Sequence, residues 1–343
     1  MKIAIVAHSV FPISQPYHGG LEKFIHTLAC ELSERGIQVD LYCNSRSSDG
    51  PYNKIPFTDF EYKWDNNFDS LNKDYKSLIE ELKLCTDYDL IHNNSLNNDM
   101  LSLSEGATPL LTTIHVPPIE GFDQAIYNNF VNKNNYLSIV SNSCLKSWTA
   151  LKECKVIHNA IHTNSWASNL SNDREGAIWF GRICPEKGVE RSIQAAIKAG
   201  LFIKIAGSIN DNEYFNYLSR KYKGKFEHIG LCSHSELNNL IASSKVFIKA
   251  PIWEEPFGLV YLESLACGTP VATYNSNIAN ELLNNKVACI SNTNIRSLSK
   301  SVLEAVETIN PEDCIKYVKQ NFDISYMVEQ YLDYYKEIIK CTR

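Results

Sequence analysis

The sequence predicts an α/β protein made of two successive doubly wound, Rossmann-like domains. Three observations predict it. Short apolar runs that end in polar residues alternate with segments whose apolar residues recur at helical spacing. That rhythm occurs twice, once in each half of the chain. The chain has 343 residues, more than one hydrophobic core usually serves.

Taken in order, KIAIVA at residues 2–7 reads as a buried parallel strand ending at His8 and Ser9. A helix is expected over Leu21–Arg35, with Phe24, Ile25, Leu28 and Leu32 on one face and a stop at Gly36. A strand at Val39–Cys43 completes a βαβ unit. Further strands are expected at Leu90–His92, Leu110–His115 and Leu137–Ser141. Residues 44–76 and 117–135, rich in Asn, Asp and aromatics, read as long loops with short helices. The second half places strands at Ala177–Ile183, Phe202–Ala206, Phe226–Gly230, Val246–Lys249, Pro270–Tyr274 and Ala288–Ser291, with helices between. The junction is expected near 155–170, where VIHNAIHTNSWASNLSND turns from apolar to polar. The expected division is 1–163, 164–325, and a last helix in 326–343 that packs back across the junction.

Composition narrows the function classes. Hydrophobic residues make up 44% and charged residues 21%, ordinary for a globular protein. The net charge of −6, from 33 basic and 39 acidic residues, argues against nucleic acid as a partner. Residues 1–163 hold 13 Lys/Arg against 19 Asp/Glu, which offers anionic lipid no net attraction. Eleven cysteines, an odd number with no C-x-x-C, fit reduced thiols in a cytoplasmic protein. No metal-ligand spacing is present, and MKIAIVAHSVF is too short in its apolar core for a signal peptide.

Open α/β sheets bind ligands beyond the carboxyl ends of their strands. After the first strand, Gly19-Gly20 precedes the expected helix, where backbone N–H groups and the helix N-terminus suit a phosphate. A plain turn is the alternative. The matching stretch of the second half is IWFGRICPEKGVERSI: Arg182 is expected to end a strand, and Lys187 stands beside Gly188 at a helix start. A planar fork and a point charge together can neutralise a diphosphate; two solvated surface charges are the alternative. In WEEPFGLVYLESLACGTPV, Glu255 precedes a helix opened by Gly258, and Glu263 interrupts an apolar run. Eight helical steps at ~1.5 Å would separate the two by at most about 12 Å, close to the span from a ribose across two phosphates to a hexose. A buried carboxylate needs donors, which paired sugar hydroxyls supply as well as an arginine or a backbone amide does.

These stretches together resemble the retaining glycosyltransferases of family 4, which have the GT-B fold. The motifs are HGGLEK, TIHVPP, VIHNAI, FGRICPEKG and EEPFGLVYLESLACGTPV, in family order across most of the chain, and the last contains E-x7-E as Glu255 through Glu263. PEKG paired with WEEPFGLVYLE is most similar to the subgroup named for an avilamycin-pathway glycosyltransferase. The resemblance implies two Rossmann-like domains facing across a cleft, with the acceptor on the N-terminal side and a nucleotide-sugar donor on the C-terminal side. It implies Arg182 and Lys187 at the diphosphate, Glu263 at the ribose and Glu255 at the transferred sugar. Phe257, Gly258 and Leu259 would line the donor, Gly19 and Gly20 would approach the diphosphate, and His115 would stand by the reacting sugar. Glu281 is a weaker candidate that could equally cap a helix. The junction departs from the family, with Ala160 for a glycine and His162 for an acid.

By the same resemblance, the protein moves a hexose or N-acetylhexosamine from a nucleotide sugar, with UDP preferred. The acceptor is a hydroxyl of a glycan, a lipid-linked saccharide or a small molecule. The departing phosphate accepts the acceptor proton, so neither a protein nucleophile nor a metal is expected, and no cofactor is implied. A nucleotide-sugar epimerase of the same fold and a non-catalytic nucleotide-sugar binding protein are the competing readings. Peripheral contact with the inner face of a membrane and the oligomeric state stay open.

Overall fold

The computed structural model describes residues 1–63, 68–119, 121–129, 134–149, 151, 154–166 and 173–342. The polar end of the expected junction, 167–172, lies outside the described residues, as do parts of the two expected loop regions, 64–67, 120 and 130–133. Two compact units form: Met1–Asn159 with Met327–Arg343, and Ala160–Tyr326.

The first unit is built on strands that are apolar on both faces, as helix-covered parallel strands must be. Its elements run β1 (Lys2–Val6), α1 (Gly20–Glu34), β2 (Gln38–Asn44), β3 (Asn53–Thr58), α2 (Asp69–Leu84), β4 (Leu90–Asn93), β5 (Leu110–Ile114), α3 (Phe122–Asn129), β6 (Asn135–Ile139), α4 (Asn142–Ser147) and β7 (Lys155–Val156). A 3-10 segment, Asp99–Glu105, joins β4 to β5. All strands pair in parallel in the order β3-β2-β1-β4-β5-β6-β7.

Two of these elements correct the expectation of long loops. β3 is an edge strand bonded only to β2, half-exposed and carrying Pro56, so it lacks a continuous apolar run. α2 buries Leu71, Tyr75, Leu78, Ile79 and Leu82 against Ala4, Val6 and Ile91 of the sheet. Its stripe has helical spacing, but Asn and Asp residues before it masked the start. β6 also ends earlier than expected. Ser141 instead caps α4, its Oγ accepting from Cys144 N–H at 2.9 Å.

The second unit opens with α5 (Thr163–Trp166). It continues with β8 (Ala177–Phe180), α6 (Val189–Lys198), β9 (Ile203–Ala206), α7 (Asn212–Lys221), β10 (Phe226–Gly230), α8 (His234–Ala242), β11 (Val246–Lys249) and α9 (Leu259–Ala266). The remaining elements are β12 (Val271–Tyr274), α10 (Asn277–Leu282), β13 (Ala288–Ser291), α11 (Ile295–Thr308), α12 (Pro311–Asn321) and α13 (Ile324–Thr342). Its parallel sheet has the order β10-β9-β8-β11-β12-β13. β8 stops three residues short of the expected Ile183 because Gly181 turns to φ +141. Arg182 therefore stands beyond the strand rather than ending it. Gly181 also touches Gly207, where a Cβ would sit 1.8 Å from the Gly181 carbonyl oxygen.

Both strand orders reverse direction beside their first strand: between β1 and β4 in one sheet, and between β8 and β11 in the other. Such switch points are where doubly wound sheets leave a crevice for ligands. The chain crosses between units twice, and the two crossings are pinned together within the second unit. Ile161 N–H donates to Phe322 O at 3.1 Å and Ile324 N–H to Ile161 O at 2.9 Å, while Thr163 Oγ1 bonds Asp323. The body of α13 then packs on the first sheet. Buried His92 of β4 bonds Tyr335 OH at 2.8 Å and Thr113 Oγ1 at 2.7 Å, and Tyr334 OH donates to Leu137 O at 3.2 Å.

All eleven cysteines are free thiols, and ten are buried or half-buried. Among the described residues, no helix is long and apolar enough to cross a membrane.

Candidate functional site

The second unit gathers its charged groups at the β8/β11 switch point. Past β8 the chain passes exposed Arg182 and makes a 3-10 turn, Pro185–Lys187, closed by Gly188 at φ +70. A Cβ on Gly188 would lie 1.8 Å from the carbonyl oxygen of Ala250, the residue after β11. Only glycine lets this turn press against the end of β11. Ile252 N–H, donating to Glu186 O at 2.9 Å, fastens the contact from the other side.

That approach delivers Lys187 to Glu255. Lys187 Nζ donates to Glu255 Oε1 at 3.1 Å, and Lys249 Nζ lies 2.8 Å from the same oxygen. The side chains of Lys249, Glu255 and Lys187 are 3%, 5% and 14% exposed, so little water screens them. Burial alone would raise the Glu255 pKa. Lys249 and Lys187 outweigh burial and pull it down to about 2. Burial lowers the Lys187 pKa, and the attraction of Glu255 only partly offsets that. Lys187 also sits 4.5 Å over the ring of Trp253, whose indole nitrogen is buried with no hydrogen-bond partner among the described residues.

Gly258, at φ +89, opens α9 as the sequence predicts. A Cβ there would press on the Tyr261 ring at 3.0 Å and on Glu255 Oε2 at 3.2 Å. The glycine thus leaves space over the Glu255 oxygen that neither lysine uses. Phe257 is buried, Leu259 is half-buried in the first turn of α9, and Glu263 is buried one turn further on. Because α9 begins at Leu259, only four of the eight steps from Glu255 to Glu263 are helical, so the expected 12 Å span is an upper bound. The far end of α9 is held by Arg174, whose guanidinium donates to Gly268 O at 2.7 Å and Cys267 O at 3.0 Å.

In the first unit, Gly19 is extended and stands at the N-cap of α1, which starts at Gly20. Buried Glu22 occupies the first turn, and a Cβ on Gly19 would lie 3.1 Å from its carboxylate. His115 follows β5. Its Nε2–H donates to Asn94 Oδ1 at 2.8 Å, and its ring meets Phe24 of α1 edge-on at 4.8 Å. Burial, with a smaller contribution from His8, drops its pKa to about 3, so the imidazole is neutral at physiological pH. His8, after β1, bonds Ser95 O at 2.8 Å. Ser276, not Glu281, caps α10.

Thus one unit brings Lys187, Glu255, Gly258 and α9 with Glu263 together, and the other brings α1 and His115 together. Sequence reasoning missed Lys249 and Trp253. Lys249 ends the apolar run VFIK, a lone charge on a buried strand, which is the same signal that exposed Glu263. Trp253 adjoins the motif but carries no charge to draw the eye. Among the described residues, no group of three His, Cys, Asp or Glu side chains could hold a metal ion.

Comparison with known proteins accounts for both units. The family model described as "Glycosyl transferases group 1" matches residues 161–321, and "Glycosyltransferase Family 4" matches 18–165. The two models together span residues 18–321, and the chain belongs to the glycosyltransferases they describe. A Mycobacterium tuberculosis glycogen synthase is 32% identical over 135 residues, which are 36% of this chain and 32% of that protein. The chain therefore aligns with about a third of the length of that curated relative. This GT-B chain superposes along nearly its whole length on two crystal structures. AviGT4, a glycosyltransferase of avilamycin A biosynthesis, matches with TM-score 0.73 at 17% identity, covering 99% of this chain and 98% of that one. Anabaena Alr3699/HepE, in complex with UDP-glucose, matches with TM-score 0.75 at 17% identity, covering 98% and 100%. At such identity these likenesses show the GT-B fold.

Proposed function

We propose that this GT-B protein is a retaining glycosyltransferase. It moves a hexose or N-acetylhexosamine from a nucleotide sugar, UDP-linked by preference, to a hydroxyl of a glycan, a lipid-linked saccharide or a small molecule. The observation that carries the reading is the buried Glu255 carboxylate, held ionised at the switch point by Lys187 and Lys249, with its second oxygen under Gly258. A carboxylate so placed accepts hydrogen bonds from sugar hydroxyls, and cations beside it take a diphosphate. The uridine preference is supported by the Anabaena neighbour, whose crystals hold UDP-glucose.

In the proposed reaction the anomeric carbon–phosphate oxygen bond breaks, and the acceptor oxygen bonds that carbon on the same face. The acceptor proton passes to the departing diphosphate, so the protein supplies no nucleophile. Arg182 and Lys187 stabilise the charge growing on the diphosphate, the role a divalent ion fills in other transferases. Glu255 orients the sugar and Glu263 the ribose. Phe257 and Leu259 line the donor, while Gly19, Gly20 and neutral His115 keep the roles the family resemblance implies.

The test is a screen of UDP-, GDP- and ADP-sugars for thermal stabilisation, since a true donor raises Tm by mass action. Anomeric NMR of the product follows, with EDTA present throughout. Stabilisation by one donor class and a product of retained configuration support the reading. No stabilising donor, or an inverted product, overturns it, and a new sugar nucleotide formed without acceptor would reveal an epimerase.

A further inference from the structure

Two ammonium groups share one oxygen of Glu255, and they are not equivalent. Lys249 is the last residue of β11, in the interior of its sheet, and its side chain is 3% exposed. Lys187 comes from a surface turn, is 14% exposed, and rests on the Trp253 ring. The three side chains carry one negative and two positive charges, a net of +1, with exposed Arg182 close by. An incoming diphosphate needs cations, and Lys187 is the one able to turn toward it. Once Lys187 leaves, a buried carboxylate with no other cation would be costly. Both ion pairs that hold it fall on Oε1, so without Lys187 the carboxylate keeps Lys249 alone of the two.

We infer that Lys249 is a fixed counter-ion: it keeps Glu255 charged and oriented while Lys187 transfers from Glu255 to the donor diphosphate. The inference rests on the donor-binding reading above and adds to it a residue that positions, without touching substrate. The other ionisable groups around Glu255 do not replace it. Tyr261 of α9 is a buried neutral phenol, and Glu254 is itself acidic. The device works as an exchange. Lys187 pairs with Glu255 as the structure shows it, turns to the phosphates when a donor binds, and Lys249 holds the carboxylate throughout.

The exchange makes a prediction that a merely structural lysine would not. In Lys249→Met, Lys187 becomes the sole partner of Glu255 and is withheld from phosphate. Binding of UDP, measured by calorimetry on the full chain, should weaken about tenfold or more. Adding Glu255→Gln to that variant removes the competing charge, releases Lys187, and should restore UDP binding to near the wild-type value. If Lys249→Met does not fold, Glu255→Gln alone decides: it should bind UDP several-fold more tightly than wild type, because Lys187 no longer has to leave a charged partner. Wild-type binding in Lys249→Met, no rescue in the double variant, or weakened binding in Glu255→Gln would each overturn the inference. A wild-type protein that binds neither UDP nor GDP nor ADP would instead overturn the donor-binding reading on which it stands.

Discussion

Gly188 and Ala250 meet backbone to backbone, so closely that a single methyl group on Gly188 would lie 1.8 Å from the Ala250 carbonyl oxygen. This contact sets how near Lys187 comes to Glu255. Gly188→Ala adds that clash to a left-handed φ of +70 and should cost on the order of 2–3 kcal/mol or more. Urea unfolding measures the loss. Even where the variant folds, its affinity for the nucleotide donor should drop, since the turn must lift Lys187 away from its partner.

Acid stability should fall through two overlapping windows, more steeply below pH 4.5 than above it. His92 and His115 are buried neutral, each with its pKa lowered by burial from 6.5 to about 3. The unfolded chain takes up protons below pH 6.5 that the folded one refuses, so stability declines as pH falls from about 6.5 toward 3. Glu255 adds a lower window. Its folded pKa, about 2, is below the unfolded 4.5, so its contribution is full above pH 4.5 and is lost as pH falls toward 2. Urea midpoints followed from pH 7 to pH 3 check the signs. Replacing Glu255 with Gln should flatten only the lower part.

Because His115 stays neutral, no limb of the pH–rate profile between pH 5 and 8 should belong to it. Imidazole NMR of the free protein should show a ring that does not titrate in that range. A titration near pH 6.5 would mean that the Asn94 contact and the burial of the ring are not those described.

Arg174 ties the C-terminal carbonyls of α9 to the strand that precedes the site. Arg174→Ala leaves Cys267 O and Gly268 O without that donor and should cost roughly 1–3 kcal/mol. Its Tm should fall, and donor affinity should weaken through α9 even though Arg174 lies outside the charged cluster. Unchanged affinity at full occupancy of the folded state would show that α9 keeps its place unaided.

The fold class was legible because buried parallel strands announce themselves as apolar runs: Phe226–Gly230, Val246–Lys249 and Ala288–Ser291 have the bounds read from sequence. What escaped did so for physical reasons. β3 is an edge strand with no run to show, and the stripe of α2 lies behind an Asn- and Asp-rich lead. The glycine opening α9 and the loop position of Lys187 could be read from local chemistry. The pairing of Lys187 with Glu255 could not, since 68 residues separate them and the Gly188–Ala250 approach and the Ile252–Glu186 hydrogen bond bring them together. Lys249 was visible as an anomaly, but a strand-end lysine acquires meaning only once its neighbour across the switch point is known.

The last helix carries a consequence for anyone who would cut this chain in two. Tyr335 and Tyr334, near the C-terminus, satisfy His92 and Leu137 deep in the opening half. A fragment ending at Asn159 would lack the residues that seal its own interior. Its imidazole and an apolar trough would face water, and such a piece should clump when expressed by itself. Grafting 327–343 back through a short linker should return it to solution.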